Sequence, residues 1–462
     1  MYKRGFTLVE LLAVIVILAI ILTIAVPNII KIINNSKEKS YESQLELVKD
    51  ATKKYIISNP ELQPLDGTSI DIYLKDLQDE GMLPNPLKNP KGGDFDNSKP
   101  PGGEGAKVTV TRIGDKYTYT FIDSNNSDSE LALRQPEPGE IVINSADILA
   151  KIGHDETYPL DGNYIQMANI DLSGYVAGDG WVPIGNDINK FTGKFDGNGF
   201  MISNLTINSA DARYLGIFGY VDGSELSNIS LTDVSVNGDG YVSIIGSLVG
   251  YNEGTIKNCY SAGTISGSPE GSIGGLVGLN YGTILDSSCQ GSIIGRTMAR
   301  AGGLVGSNDG NISGCYFNGS VTSSIGVVGG LVGSNCGTIS NCYSTGSASR
   351  GLYNGGLVGV NGEAGPEPVS GIIENCYSIG YVEGQYSIGG LVGANAIGPI
   401  THCYWDIETS DQDISAGGIG MTTVQMKQQS TFSGWNFNDI WQINEGQSYP
   451  YFRNNEQAPH PQ

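Results

Sequence analysis

Gly274-Gly275-Leu276-Val277-Gly278-Leu279-Asn280 decides the fold, because the chain repeats it. The pentapeptide GGLVG recurs at 302–306, 329–333, 355–359 and 389–393, with a close copy, GSLVG, at 246–250. Successive copies start 28, 28, 27, 26 and 34 residues apart. An asparagine follows each one: Asn252, Asn280, Asn308, Asn335, Asn361 and Asn395. A fixed period in this range marks stacked supersecondary units, none of which can bury its apolar face alone. The apolar runs are too short for helices and are punctuated by Gly, Ser, Thr and Asn, so they read as strands of a few residues joined by tight turns. The prediction is a parallel β-solenoid with two or three short strands per coil. The 34-residue unit carries an insertion, Glu363 to Val369, expected as a protruding loop.

A second half-motif follows each pentapeptide. Gly254-Thr255-Ile256-Lys257-Asn258-Cys259-Tyr260 returns as Asn311 to Tyr316 and Gly337 to Tyr343, and then as Asn375-Cys376-Tyr377 and His402-Cys403-Tyr404. The 274 copy departs, with Ser287-Ser288 in the Cys-Tyr places and Cys289 after them. Equivalent residues of successive coils stack about 4.8 Å apart. Cys259, Cys315, Cys342, Cys376 and Cys403 are therefore expected in one column, read as a buried row of small thiols. Disulfides between adjacent coils are geometrically conceivable, whereas a linear column makes no tetrahedral metal cage. Cys336, beside Asn335 in a turn, stands apart as a candidate exposed thiol. Tyr260, Tyr316, Tyr343, Tyr377 and Tyr404 should point to the opposite face from the cysteines. They form either a structural ladder or an outward strip suited to stacking on sugars or gripping a protein.

The repeat region has a lead-in, Trp181 to Gly185 and Phe191 to Gly199, then a degenerate copy at Leu215 to Gly219. It ends in an aromatic segment with Trp435, Trp441 and Tyr449-Pro450-Tyr451. Taken together, residues 141–452 resemble the GLUG repeat family, named for motifs like GGLVG. The resemblance implies that the aromatic segment caps the last coil and protects its open edge. The Asp196-Gly197-Asn198-Gly199 turn lacks EF-hand spacing and is read as a turn.

At the other end, Lys3-Arg4-Gly5 leads into a 21-residue apolar run, Phe6 to Val26, whose only charge is Glu10. That length spans a bilayer, and a carboxylate inside it costs about 2.5–3.5 kcal/mol unless partnered. A secretory signal peptide has a shorter core and a small-x-small cleavage site. With Pro27 close behind, the stretch resembles the N-terminus of type IV prepilins and pseudopilins. The resemblance implies removal of the leader, residues 1–5, by prepilin peptidase between Gly5 and Phe6, and N-methylation of Phe6. It further implies a charge pair between the Phe6 amine and Glu10 of a neighbouring subunit. Pro27 would kink the helix.

The helix is expected over residues 6–60, with 6–26 crossing the membrane or filling a filament core and an amphipathic second half carrying Leu45, Val48 and Tyr55. Asn59-Pro60 ends it. Residues 61–124 read as a small pilin head. Ile70 to Leu77 resembles the short helix, and Gly81 to Pro90 the loop, of Gram-positive-type pilins. Lys107 to Thr111 and Lys116 to Phe121 alternate with period two as a β-hairpin. Residues 125–140 read as linker. The fold class is therefore an α+β pilin stem, a long helix plus a small antiparallel sheet, followed by an all-β parallel solenoid.

Of the 462 residues, 66 are glycine, and the formal net charge is −22. That acidity argues against nucleic-acid partners. Three scattered histidines argue against a His-based metal site or triad. The eight carboxylates between 246 and 404 occupy varied repeat positions, with no evident pair of the kind glycoside hydrolysis needs. No catalytic residue, metal or cofactor is expected. The expectation is a minor or tip pilin of a bacterial type IV pilus-like filament, in the inner membrane before assembly and at the cell surface after it. It would present the solenoid as an adhesin to glycans, matrix or cells. The alternatives are a pseudopilin of a type II secretion or DNA-uptake machine and, further off, a polysaccharide-acting β-helix enzyme. Partners expected are other pilin subunits, the prepilin peptidase, the membrane and a surface ligand.

Overall fold

The computed structural model describes most of residues 44–87, 105–122 apart from 114 and 115, and 136–453 apart from 242, 268 and 385. The leader, Gly5, Phe6, Glu10, Pro27 and residues 125–135 of the expected linker lie outside the described residues. Among the described residues no helix is long and apolar enough to cross a membrane. The chain divides into two compact units, residues 1–133 and 134–462.

In the first unit the described positions from 44 to 58 are helical. The amphipathic spacing puts Leu45, Val48, Ala51 and Ile56 on a buried stripe. Asn59 closes the helix, its amide nitrogen and its Nδ2 both donating to the Tyr55 carbonyl, at 3.0 and 2.8 Å. Three antiparallel strands follow in the order β1 (Ser69–Tyr73), β2 (Lys107–Ile113), β3 (Lys116–Ile122). The stretch resembling a short helix from Ile70 is a strand up to Tyr73, and helix α1 (Leu74–Asp79) begins only there. The alternation of Ile70 and Ile72 pairs with β2, Ile72 opposite Val108, and this pairing overrides the helical reading. Ile72, Leu74, Leu77, Leu83, Val108, Val110 and Phe121 complete one small core with the helix stripe.

The second unit is a parallel β-solenoid of about nine turns. One coil illustrates it: β4 (Ser272–Gly274), β5 (Val277–Asn280), β6 (Thr283–Leu285) and β7 (Ser288–Gly295). Each strand pairs in parallel with its equivalents above and below. Ile245, Ile273, Ala301 and Val328 stack along the β4 ladder, and Ile256, Ile284, Ile312, Ile339, Ile373 and Ile400 along the β6 ladder. These columns, with the Leu-Val pairs of the pentapeptide, form one continuous buried core. Repetition therefore acts energetically as well as in pattern, because a coil's apolar face is covered only by its neighbours.

The glycines of the pentapeptide have a packing reason. A Cβ on Gly306 would stand 2.4 Å from the Ile273 nitrogen, because β5-type strands press onto the backbone of β4-type strands of other coils. The residue before each position of the cysteine column, Ser287 included, has its own constraint. Asn258, Asp286, Gly314, Asn341, Asn375 and His402 all have φ between 48 and 68°. Asn, Asp, Gly and His tolerate this left-handed corner better than other residues, which explains their interchange there.

The asparagine after each pentapeptide builds a ladder through the interior. Asn252, Asn280, Asn308, Asn335 and Asn361 are fully buried or nearly so. Each Nδ2 donates to the Oδ1 of the next, at 2.7, 2.7, 2.8, 2.8 and 3.0 Å, the last acceptor being Asn395. Each also reaches a carbonyl of its own turn, such as Gly310 O from Asn308 at 3.2 Å. Buried amides are costly unless satisfied, and here a neighbouring coil in correct register is what satisfies them. The insertion projects as expected, pinned at its base by mutual backbone bonds between Glu363 and Val369.

Both ends of the solenoid are dressed. At the start, the short helix α2 (Ala146–Leu149) is capped by Ser145, and Tyr164, Phe191, Phe195 and Phe218 fill the widening core. At the end, β8 (Ile419–Met421) adds a rung to Tyr404–Asp406. Ser415 Oγ accepts from the Leu391 and Val392 amides.

Candidate ligand-binding face

The cysteine column forms as the spacing predicts, with Ser287 filling its gap. Cys259, Cys315, Cys342, Cys376 and Cys403 are buried and free of disulfides. Each thiol donates to the carbonyl two residues back, as Cys315 Sγ does to Ser313 O at 3.2 Å. Three of them accept from the coil before: Ser287 N–H to Cys315 Sγ at 3.4 Å, Cys315 N–H to Cys342 Sγ at 3.4 Å, Cys342 N–H to Cys376 Sγ at 3.3 Å. Ser287 plays both parts, accepting from Cys259 N–H at 3.0 Å and donating to Leu285 O at 2.7 Å. The column is thus a hydrogen-bonding joint between coils, and burial pushes the Cys259 thiol up to about 12. Cys289 is buried two positions on, between Ser261 and Phe317, and Cys336 is partly exposed.

The tyrosine column also forms on the opposite side of its strand, but it is not a free surface. Tyr316, Tyr343, Tyr377 and Tyr404 stand in register and are 0–4% exposed. Tyr316, Tyr343 and Tyr377 stack with centroids 5.1 Å apart and rings within 7° of parallel. The aromatic segment expected to cap the last coil instead lies along the side of the solenoid over these rings. Its hairpin, β9 (Trp441–Gln442) with β10 (Tyr451–Phe452), sets Phe452 5.3 Å from Tyr343 and Trp441 6.0 Å from Tyr377. The Tyr377 hydroxyl donates to Pro450 O at 2.5 Å. Only Tyr260, outside this cover, is partly exposed, its hydroxyl 3.3 Å from Gln290 Oε1. The strip expected to grip sugars or a partner is therefore a covered structural ladder at four of its five positions. Flat rings repeated every coil are what let one apolar segment seal it.

Asp406 fastens the cover. Wholly buried, it caps the helix that follows it through the Glu408 and Thr409 amides. Its other oxygen accepts from Thr423 Oγ1 at 2.7 Å and the Tyr449 hydroxyl at 2.6 Å.

A different set of aromatics runs from the buried Tyr220 out to solvent at Tyr281. Tyr220 and Tyr251 are aligned on neighbouring coils and stack at 4.3 Å, and Tyr251 stacks on Tyr281 at 5.5 Å and 20°. Tyr214 meets the first two edge-on, at 5.4 and 5.8 Å. Lys190, from the lead-in, closes one end with its Nζ 4.4 Å from the Tyr220 centroid. It pairs there with Asp222 at 3.0 Å and Glu253 at 3.1 Å, and Glu253 also accepts from the Tyr220 hydroxyl at 2.9 Å. Those two bonds hold the Lys190 ammonium above its ordinary range. At the other end Tyr281 is 51% exposed.

The residue after each ladder asparagine forms the rim of this face: Glu253, Tyr281, Asp309 and Cys336 on successive coils. The amides of Tyr281, Asp309 and Cys336 bond to the asparagine carbonyl one coil back. Reading the carboxylates as occupying varied positions missed that Asp222 and Glu253 are in register and that Asp309 continues the rim. The tyrosines were missed because Tyr251 and Tyr281 stand at different places in their repeats. An aromatic on three consecutive units was the signal available.

Residues 1–26 match the prokaryotic N-terminal methylation motif, and residues 242–266 and 299–322 match the GLUG motif. The chain thus joins the two elements its sequence resembles. It is 36% identical over 113 residues to a protein of Evansella cellulosilytica described as a Gly-rich membrane protein, covering 24% of this chain and 13% of that one. It is 32% identical over 167 residues to halomucin of Haloquadratum walsbyi, covering 36% of this chain and 2% of that one. The chain therefore spans only a small part of either relative's length. Among solved structures, a Bacteroides ovatus protein described as an immunoglobulin A1 protease aligns at TM-score 0.43 and 20% identity, covering 72% of this chain and 95% of that one.

Proposed function

We propose that this chain is a pilin-like subunit that carries a β-solenoid to the bacterial cell surface, where the solenoid serves as a non-catalytic adhesive domain. The observation that carries the reading is the joining of an N-terminal methylation motif, residues 1–26, to a GLUG-bearing solenoid. The motif supports prepilin-peptidase processing after Gly5, methylation of Phe6 and assembly with other pilins, with Glu10 answering the Phe6 amine of a neighbour. Two opposite charges brought together out of water attract strongly, and either alone is costly. The apolar run Phe6 to Val26 would anchor the subunit in the inner membrane beforehand. A large side domain suits a sparse or terminal position better than a packed shaft. The acidity of the chain, −22 overall, suits an exposed, soluble surface, and the Gly-rich relative is itself described as a membrane protein.

The test is to shear cells and probe the released filaments for this chain, comparing wild type with Glu10→Ala. Wild type is expected in the sheared fraction, and Glu10→Ala is expected to stay in the membrane. Release of both alike would remove the assembly role of Glu10. Retention of both would leave the segment as an anchor only.

A further inference from the structure

We propose that the open face of Tyr281 is a binding site for an amino sugar carrying a free primary ammonium. This rests on the adhesive reading and gives it a ligand class. The solenoid already contains the arrangement once, filled from within: the Lys190 ammonium lies over Tyr220 between the carboxylates of Asp222 and Glu253. The stacked rings carry that pattern to a second end. Tyr281 leans one face on Tyr251 and is half open to solvent. Glu253 stands one coil before it on the rim and Asp309 one coil after. There the chain supplies a ring and a carboxylate but no ammonium: among the described residues neither Asp309 nor the neighbouring Glu363 forms an ion pair.

The charges around Asp309 narrow the ligand. Burial and the nearby Glu363 both disfavour its ionised form, with Arg300 opposing them more weakly. An incoming ammonium would relieve the repulsion between the two carboxylates, and a ligand carboxylate or sulfate would add to it. Arg300 sits close enough to act on both Asp309 and Cys336. A guanidinium there disfavours a run of cations, such as a basic peptide, while it can donate to a hydroxyl oxygen. Beyond Tyr281 the column that begins at Tyr251 narrows to small side chains, the buried Ser307 and then Ser334, which leaves room for a ring against the aromatic face. One ammonium on a hydroxylated ring matches this set: C–H surface on the tyrosine, ammonium at the carboxylates, hydroxyls toward Arg300 and Ser334.

The test titrates the full chain in detergent micelles with a glucosamine pentamer, its N-acetylated counterpart and oligolysine, at low and high salt. The free-amine sugar is expected to bind, more weakly at high salt. Tyr281→Ala is expected to weaken it about tenfold, Tyr281→Phe to retain it, and Asp309→Asn to weaken it roughly fivefold. Equal binding of the N-acetylated pentamer would overturn the ammonium assignment. Oligolysine binding with the same dependence on Tyr281 would overturn the sugar assignment. An unchanged affinity in a Tyr281→Ala protein with a wild-type unfolding midpoint would overturn the site itself. Adhesion assays separate this site from the broader reading: full adhesion by surface-displayed Tyr281→Ala removes the site and keeps the adhesive role, whereas absence of the wild type from the surface removes the adhesive role whatever the titration gives.

Discussion

Cys315 shows how a single side chain can be both apolar filling and polar joint. It receives the Ser287 amide and bonds its own Ser313 carbonyl, the two contacts that Ser287 makes with oxygen in the neighbouring coil. Cys315→Ser is therefore expected to be nearly neutral. Cys315→Ala leaves a buried N–H without an acceptor and should cost about 1–3 kcal/mol by urea unfolding. The column also sets a response to alkali. The Cys259 thiol, with an ordinary pKa of 9.0, is raised to about 12 in the fold by burial. The unfolded chain therefore loses this proton first. Stability is whole below pH 9 and should fall between about pH 9 and 12, by up to roughly 1.4 kcal/mol per pH unit for each such thiol. A thiol reagent at neutral pH is expected to modify Cys336 alone of the seven cysteines until the protein is unfolded. The asparagine ladder is less forgiving: Asn308→Ala strips partners from Asn280, Asn335 and the Gly310 carbonyl at once, and should cost more than about 2 kcal/mol.

At the scale of elements, the closing segment is where sequence reasoning and structure part. The repeats were legible because each coil must present the same residues to its neighbours, and so the period, the strands and the cysteine column all followed from spacing. The aromatics at 432–452 were legible as a cover but not in their placement. Nothing in Trp435, Trp441 or Tyr449 says whether they meet the end of a stack or its flank; only the chain's reversal after β8 decides it. The paired tyrosines make the placement testable. The Tyr343 hydroxyl is buried without a partner, as is the Trp441 indole nitrogen above it, so Tyr343→Phe should be neutral or stabilising by up to about 1 kcal/mol. Tyr377→Phe loses the bond to Pro450 and should destabilise by about 1 kcal/mol. Tyr377→Ala is expected to release the segment, seen as selective proteolysis of residues 426–453 ahead of the solenoid. The open tyrosine face was illegible for another reason: Lys190 is 91 residues before Tyr281, and only coil stacking brings the two ends of the ring stack into line.

For the whole molecule, the backbone ladders set the advance per coil, and the number of residues in a coil does not. Units of 26 and 34 residues occupy one rung each, the extra length leaving sideways between Glu363 and Val369. The solenoid is thus a ruler graduated at about 4.8 Å, whose marks stay fixed while its turns vary. The length of the stack and the identity of its outward side chains can change independently: adding coils lengthens it by known increments, and rewriting a turn alters one graduation without shifting the next. What the stack touches can therefore vary without any change in how far it extends.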